Sequence, residues 1–358
     1  MTARTRADLG SLPGYVPGRS IPGAVKLASN EVSAGPLPSV IAAICDAAAD
    51  VNRYPDPEAT ALVDRLAVRL DVPPSHLAIG CGSVALCQQL VQATCGPADE
   101  VVFAWHSFEA YPIITQVAGA RHRTVPLRPD HTHDLAAMLD AITPATRLVF
   151  VCNPNNPTGT AVWRDELVTF LDAVPDGVLI ALDEAYHEFV TDPAVPDGLA
   201  LRGGRDNLAV LRTFSKAYGL AGLRVGYCVA VEPIATVLRK VSVPFSVNSL
   251  AQVAALASLD VEDELLARCR GVAAERDRVR AELLAMGYAV PDSQANFVWL
   301  PLGEQTAAFN EHCLEHKAVI RAFPGNGARI TISDPSKNET FLTAAKYWQA
   351  RHGDISGL

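Results

Sequence analysis

Between residue 77 and about residue 243 the chain repeats one unit, a short apolar run followed by a longer segment of helical spacing. Strands and helices that alternate in this way pair as a mostly parallel sheet, with the crossover helices packed on its faces. The clearest strand signals fall at 101–103, 148–151, 179–182, 209–211 and 225–229. With 49% hydrophobic residues in 358, the chain can bury a large core and is expected to divide into two domains. Residues 1–29, punctuated by Gly and Pro, read as an irregular N-terminal arm; 30–247 as a large domain; 248–358 as a small one. Helices are expected at 40–49 and 59–70, and one or two more across 250–284. A small C-terminal sheet is expected from 296–300, 318–320 and 328–332.

The ends of these runs carry the chemistry. Val149-Phe150-Val151-Cys152 stops abruptly in Asn153-Pro154-Asn155-Asn156-Pro157, all turn formers. The run 178–182 ends in Asp183, with Tyr186 three residues on. Ligands in open α/β sheets sit outside the carboxyl ends of the strands, so Asn156, Asp183 and Tyr186 are expected to face one crevice. Alone, Asp183 would pass for a helix cap and Asn156 for a turn residue. The third segment is Thr213-Phe214-Ser215-Lys216-Ala217-Tyr218-Gly219, followed by Arg224. A lysine amine attacks a carbonyl once burial or nearby cations lower its pKa. Small neighbours leave room for a planar group, and Ser215 with Arg224 suits a phosphate dianion. Together the three segments point to a lysine that carries pyridoxal phosphate.

With these motifs the chain resembles the fold-type I, pyridoxal-phosphate-dependent aminotransferases of class I/II, within them the histidinol-phosphate aminotransferase branch, and there most closely the actinobacterial aromatic (phenylalanine) enzymes. Ser29-Asn30-Glu31, Asn52-Arg53-Tyr54-Pro55-Asp56, Gly80-Cys81-Gly82-Ser83-Val84 and Ser293-Gln294-Ala295-Asn296-Phe297 fit the same pattern. The resemblance implies a seven-stranded type of large sheet and a smaller α/β C-terminal domain. It implies that Lys216 binds the cofactor covalently and later moves the substrate's proton from Cα to C4′, and that Asp183 keeps the pyridine nitrogen protonated. Tyr186 and Asn156 are expected to hydrogen-bond the phenolic oxygen. Gly82, Ser83 and Val84 form a strand-to-helix junction whose free N–H groups favour an anion; Ser215 and Arg224 complete that phosphate cup, with Thr213 beside them. Val84 stands where most relatives have an acidic residue. Phe108 falls where relatives stack a tyrosine on the pyridine ring; the other reading makes Phe108 core and turns Tyr111 to the site. Tyr54 is expected to reach the phosphate of a partner subunit in a homodimer.

On the substrate side, the resemblance gives Arg329 the α-carboxylate. Arg321 offers a second anion contact, for a phosphate or a distal carboxylate, as an alternative to a purely structural role, and Tyr15 and Asn30 are expected either to close over the pocket or to anchor their loops. Three functions follow: an aromatic aminotransferase using 2-oxoglutarate, with histidinol phosphate as the alternative donor; another enzyme of the same scaffold, such as a lyase, decarboxylase or racemase; and a non-catalytic regulator. Arg329 favours transamination over decarboxylation, which would destroy the group it holds. The regulator is disfavoured by the absence of a DNA-binding helix pair. Net charge −9 argues against nucleic acid and anionic membranes as partners. No apolar run approaches the roughly 18 residues that span a bilayer, and no secretory leader is expected. The eight cysteines show no metal spacing, which suits reduced thiols in the cytoplasm.

Overall fold

The runs around Val149, Ile180 and Val210 offer water no polar face, and they form the centre of a sheet covered on both sides. The computed structural model describes residues 6–12 and 21–353. Its strands, in chain order, are β1 (Val25–Leu27), β2 (Leu77–Gly80), β3 (Glu100–Trp105), β4 (Arg121–Pro126), β5 (Thr146–Cys152), β6 (Leu179–Asp183), β7 (Leu208–Thr213), β8 (Gly226–Val229), β9 (Phe297–Leu300), β10 (Ala318–Phe323) and β11 (Gly327–Thr331). The large sheet has seven strands in the order β2-β8-β7-β6-β5-β3-β4, and only β8 runs against its neighbours. On one face, helices Ser83–Thr94, Ala110–Ala118 and Glu232–Val241 bring Leu86, Tyr111 and Leu238 into the core. On the other face, Leu135–Asp140 and Arg164–Ala173 bring Met138, Leu167 and Phe170. Each fully buried side chain of this kind contributes roughly 1.5–3 kcal/mol.

A second sheet, ordered β1-β10-β11-β9, has its own core, in which Val298, Leu300, Ile320 and Ile330 pack with Phe309, Phe341 and Trp348. Three of its strands are the ones expected from the sequence. The fourth, β1, lies within the stretch expected to be irregular and pairs in parallel with β10. The segment read as one or two helices is two, Ser249–Asp260 and Glu262–Ala285. Asn248 starts the first, its side chain accepting from the Ala251 N–H.

A buried ion pair fixes the strand ends that matter most. Arg212 on β7 donates to Glu184, the residue after β6, from Nε and Nη2 at 2.9 and 2.8 Å, and Nη2 reaches Asp197 at 2.6 Å. Removing one partner of such a pair leaves a buried charge alone, at a cost of about 3–5 kcal/mol. It clamps together the carboxyl ends of β6 and β7, whose last residues are Asp183 and Thr213.

Candidate active site

The parallel strands β5, β6 and β7 end side by side, with Cys152 paired to Asp183 in register. A cavity of about 260 Å³ opens at those ends. Asn30, Phe108, Asn156, Asp183, Tyr186 and Lys216 line it, as do Ser83, Val84, Thr213, Ser215, Arg224, Arg321 and Arg329. Nearly every residue singled out in the sequence therefore meets in one place. Three do not: Tyr15 lies outside the described residues, Gly82 adjoins the cavity through Arg224 without lining it, and Tyr54 is 83% exposed and absent from the cavity of its own chain.

Lys216 follows the turn after β7, and its Nζ donates to the Ser29 carbonyl at 3.1 Å. Burial, then the nearby Arg329 guanidinium, lowers the amine from its ordinary value to about 7. Near neutral pH much of it is a free amine, the form that attacks carbonyls and accepts protons.

Asp183 is 3% exposed, and burial raises its carboxyl to about 6, against the opposing pull of a hydrogen bond from Tyr111. The Tyr111 hydroxyl donates to Oδ2 at 2.8 Å, while Oδ1 is buried with no hydrogen-bond partner among the described residues. Tyr111 is fully buried, stacked on Phe150 with ring centroids 4.3 Å apart and planes 8° apart. Phe108 meets it edge-on at 5.5 Å and lines the cavity. Phe108 thus borders the cavity, while Tyr111 is fully buried, does not line it and braces the Asp183 carboxylate from behind. No local pattern marks that bracing role, because an apolar helix position and a buried tyrosine donor look alike.

The anion cup forms where the helix Ser83–Thr94 begins. Gly82 has φ +78°, and a Cβ there would sit 2.3 Å from Nη2 of Arg224, so only glycine lets that guanidinium lie against the helix start. Arg224, itself at φ 63°, donates from Nη1 to Ser215 Oγ at 3.2 Å and to the Ala221 carbonyl at 3.0 Å. The left-handed backbone of a non-glycine residue is strain that the surrounding contacts hold in place.

On the opposite wall, Arg329 on β11 is 6% exposed and donates to Asn156 Oδ1 and, at 2.7 Å, to the Ala28 carbonyl. Tyr186, whose hydroxyl burial pushes up to about 12, accepts from Asn30 Nδ2 at 2.9 Å. Asn30 in turn is tied through its backbone N–H to Thr331 Oγ1 and accepts from that hydroxyl at 3.0 Å. The small sheet thereby anchors a loop of the cavity wall. Arg321 lies directly across from Arg329 in the β10/β11 register, and Glu109 holds it with two contacts of 2.9 Å. Ala28 and Glu109 went unmarked in the sequence, and Ser29 was marked only as part of the Ser29-Asn30-Glu31 motif; Ala28 and Ser29 act through backbone carbonyls, which no side-chain pattern reveals.

Residues 22–344 match the family described as aminotransferase class I and II. An aromatic amino acid aminotransferase of Rhodococcus jostii (strain RHA1) is 60% identical over 98% of this chain and 98% of its own. One from Streptomyces coelicolor is 55% identical over 96% of this chain and 97% of its own. Among solved structures, a histidinol-phosphate aminotransferase from Sinorhizobium meliloti in complex with pyridoxal-5'-phosphate superposes with a TM-score of 0.89, at 30% identity over 99% of both chains. The residues in the cavity fit that cofactor. The unpartnered buried Oδ1 of Asp183 suits a protonated pyridine nitrogen, the Gly82–Arg224 approach suits a phosphate, and the Lys216 amine suits an aldehyde. The chain belongs to the class I and II aminotransferases, enzymes that work with pyridoxal phosphate.

Proposed function

We propose that this chain moves amino groups between aromatic L-amino acids (phenylalanine, tyrosine, tryptophan) and 2-oxoglutarate. The reading is carried by the meeting of Lys216, Asp183 and Arg329 in one cavity of a chain 60% identical to a named aromatic aminotransferase. Bound pyridoxal phosphate supplies an electron-accepting ring beside the substrate's Cα. Asp183 holds a proton on the pyridine nitrogen. Tyr186 and the amide of Asn156 donate to the phenolic oxygen, while Ser83, Val84, Thr213, Ser215 and Arg224 hold the phosphate beside Gly82. Phe108, which lines the cavity, would offer its ring for stacking on the pyridine. Arg329 pairs with the α-carboxylate and orients Cα toward Lys216 Nζ, which takes the Cα proton; a fixed geometry of this kind is a large part of the rate. Histidinol phosphate is the lesser reading, since it offers no α-carboxylate to Arg329.

Arg329→Ala should lower kcat/KM for phenylalanine and for glutamate alike by about ten- to a hundred-fold, the worth of one charge-assisted contact. A wild-type enzyme that prefers histidinol phosphate to phenylalanine in kcat/KM would overturn the aromatic reading and leave the cofactor chemistry standing.

We further infer a homodimer in which Tyr54 serves the partner's phosphate cup. Its ring, exposed and stacked on Phe245 with centroids 4.6 Å apart, lies on an outer face rather than on its own cavity. In a mixed dimer of Tyr54→Phe and Lys216→Ala subunits, the surviving lysine would receive an intact Tyr54 from its partner. Activity per intact lysine should exceed that of the Tyr54→Phe homodimer; equal activity in the two would assign Tyr54 to its own subunit. In this reading residues 30–247 form the cofactor-binding unit, 248–358 the smaller unit and 1–29 the arm. No described helix is long and apolar enough to cross a membrane. Eight unpaired cysteines fit a cytoplasmic setting.

A further inference from the structure

A transaminase of this kind must take two unlike side chains in turn, an apolar ring and a second carboxylate, with the same cavity wall. The wall here carries two arginines directly opposite each other on β10 and β11, Arg321 and Arg329. Like charges so placed repel, so the second cation needs a counter-charge whenever no distal carboxylate is bound. Arg321 is compensated: both Glu109 carboxylate oxygens lie 2.9 Å from its Nη2. Its guanidinium also lies 5.7 Å from the Phe323 ring centre, so the pair adjoins an aromatic surface.

We propose that Glu109 is a specificity-determining residue, a built-in carboxylate that occupies Arg321 while an aromatic side chain is bound and yields that arginine to the distal carboxylate of glutamate or 2-oxoglutarate. The proposal rests on the aromatic aminotransferase reading. Exposure supports the exchange: the Glu109 side chain is 45% exposed and Arg321 22%, so the acid can swing into water while the arginine stays at the wall. Glu109 also stands at the N-cap of the helix Ala110–Ala118 and makes no capping hydrogen bond with its side chain. The helix N-terminus therefore offers the displaced carboxylate a second favourable place. One carboxylate replaces another on the same guanidinium, and no net charge is buried or released. For a phosphate ester the match is poorer, because a dianion displacing one carboxylate leaves a negative charge in excess beside Glu109.

Two unreactive probes separate the two uses of the wall in the holoenzyme: glutarate, with two carboxylates, and 3-phenylpropanoate, with one carboxylate and a ring. Binding is read by calorimetry. Glu109→Gln, which keeps the side chain's shape and removes its charge, should tighten glutarate by about two- to five-fold, as expected for freeing a partly exposed ion pair, and leave 3-phenylpropanoate unchanged or weaker. Arg321→Ala should weaken glutarate and spare 3-phenylpropanoate. If both probes shift together in each variant, or neither shifts, Glu109 has no part in specificity. Because the titration needs no turnover, it decides the role of Glu109 separately. Failure of the wild type to transaminate phenylalanine would instead remove the aromatic reading.

Discussion

Lys216→Ala should lower transamination by at least about 10³-fold, within the range that a positioned proton-transfer group supplies. The variant should also lose covalent attachment: borohydride fixes pyridoxal phosphate to the wild type at residue 216 and to no residue of the variant. The reason lies in the environment of the amine. Burial and Arg329 bring it to about 7, so near neutral pH it is available as a free base, as no solvated lysine with an ordinary pKa would be. The sign of the pH effect follows. The wild-type apoprotein should take up the cofactor's aldehyde faster as pH rises through about 7, because the protonated amine cannot attack. A Lys216→Ala protein that still forms a reducible link through another lysine would overturn the assignment, whatever its residual activity.

The parts of this molecule that were legible in its sequence share a physical cause. Strands β5, β6 and β7 are buried on both faces and therefore continuous in apolar residues, and their polar ends stand out against that background. Asn156, Asp183 and Lys216 are visible for this reason. Edge elements lack that contrast. Strand β4 begins Arg121-His122-Arg123-Thr124 and is exposed over most of its length, so its sequence reads as surface. Strand β1 has three residues and exists because β10 lies beside it. The same distinction divides the site. Tyr111 and Glu109 sit in one short segment with Phe108, and nothing local says that one turns inward to Asp183 while the other crosses to an arginine more than two hundred residues away. Their roles arise from the packing of the helix Ala110–Ala118 against the sheet. Tyr54 was singled out through a motif and not through its surroundings; among the described residues its ring stacks on Phe245.

Asp183→Asn is expected to lower kcat by about 10²–10³-fold, the usual loss when a preorganised electrostatic contact to the reacting system is removed. Asparagine fills the same space but carries no charge to hold a proton on the pyridine nitrogen, so the electron-accepting power of the ring falls while the phosphate cup of Ser215 and Arg224 is untouched. The defect should therefore appear in kcat more than in cofactor retention, and the cofactor's absorbance should shift toward the unprotonated pyridine. The wild type supplies its own control through pH. Burial sets the Asp183 carboxyl near 6, and a pyridinium opposite Oδ1 would lower it, since an opposite charge favours the ionised form. As pH falls through about 6, apoprotein in which Asp183 has taken up a proton should bind the cofactor more weakly. Tyr111→Phe should accentuate this: loss of the donor to Oδ2 raises the carboxyl pKa and moves the weakening to higher pH, with Phe150 still packed against the ring. An Asp183→Asn enzyme with wild-type kcat and an unshifted absorbance would mean that the proton on the ring is held by another group.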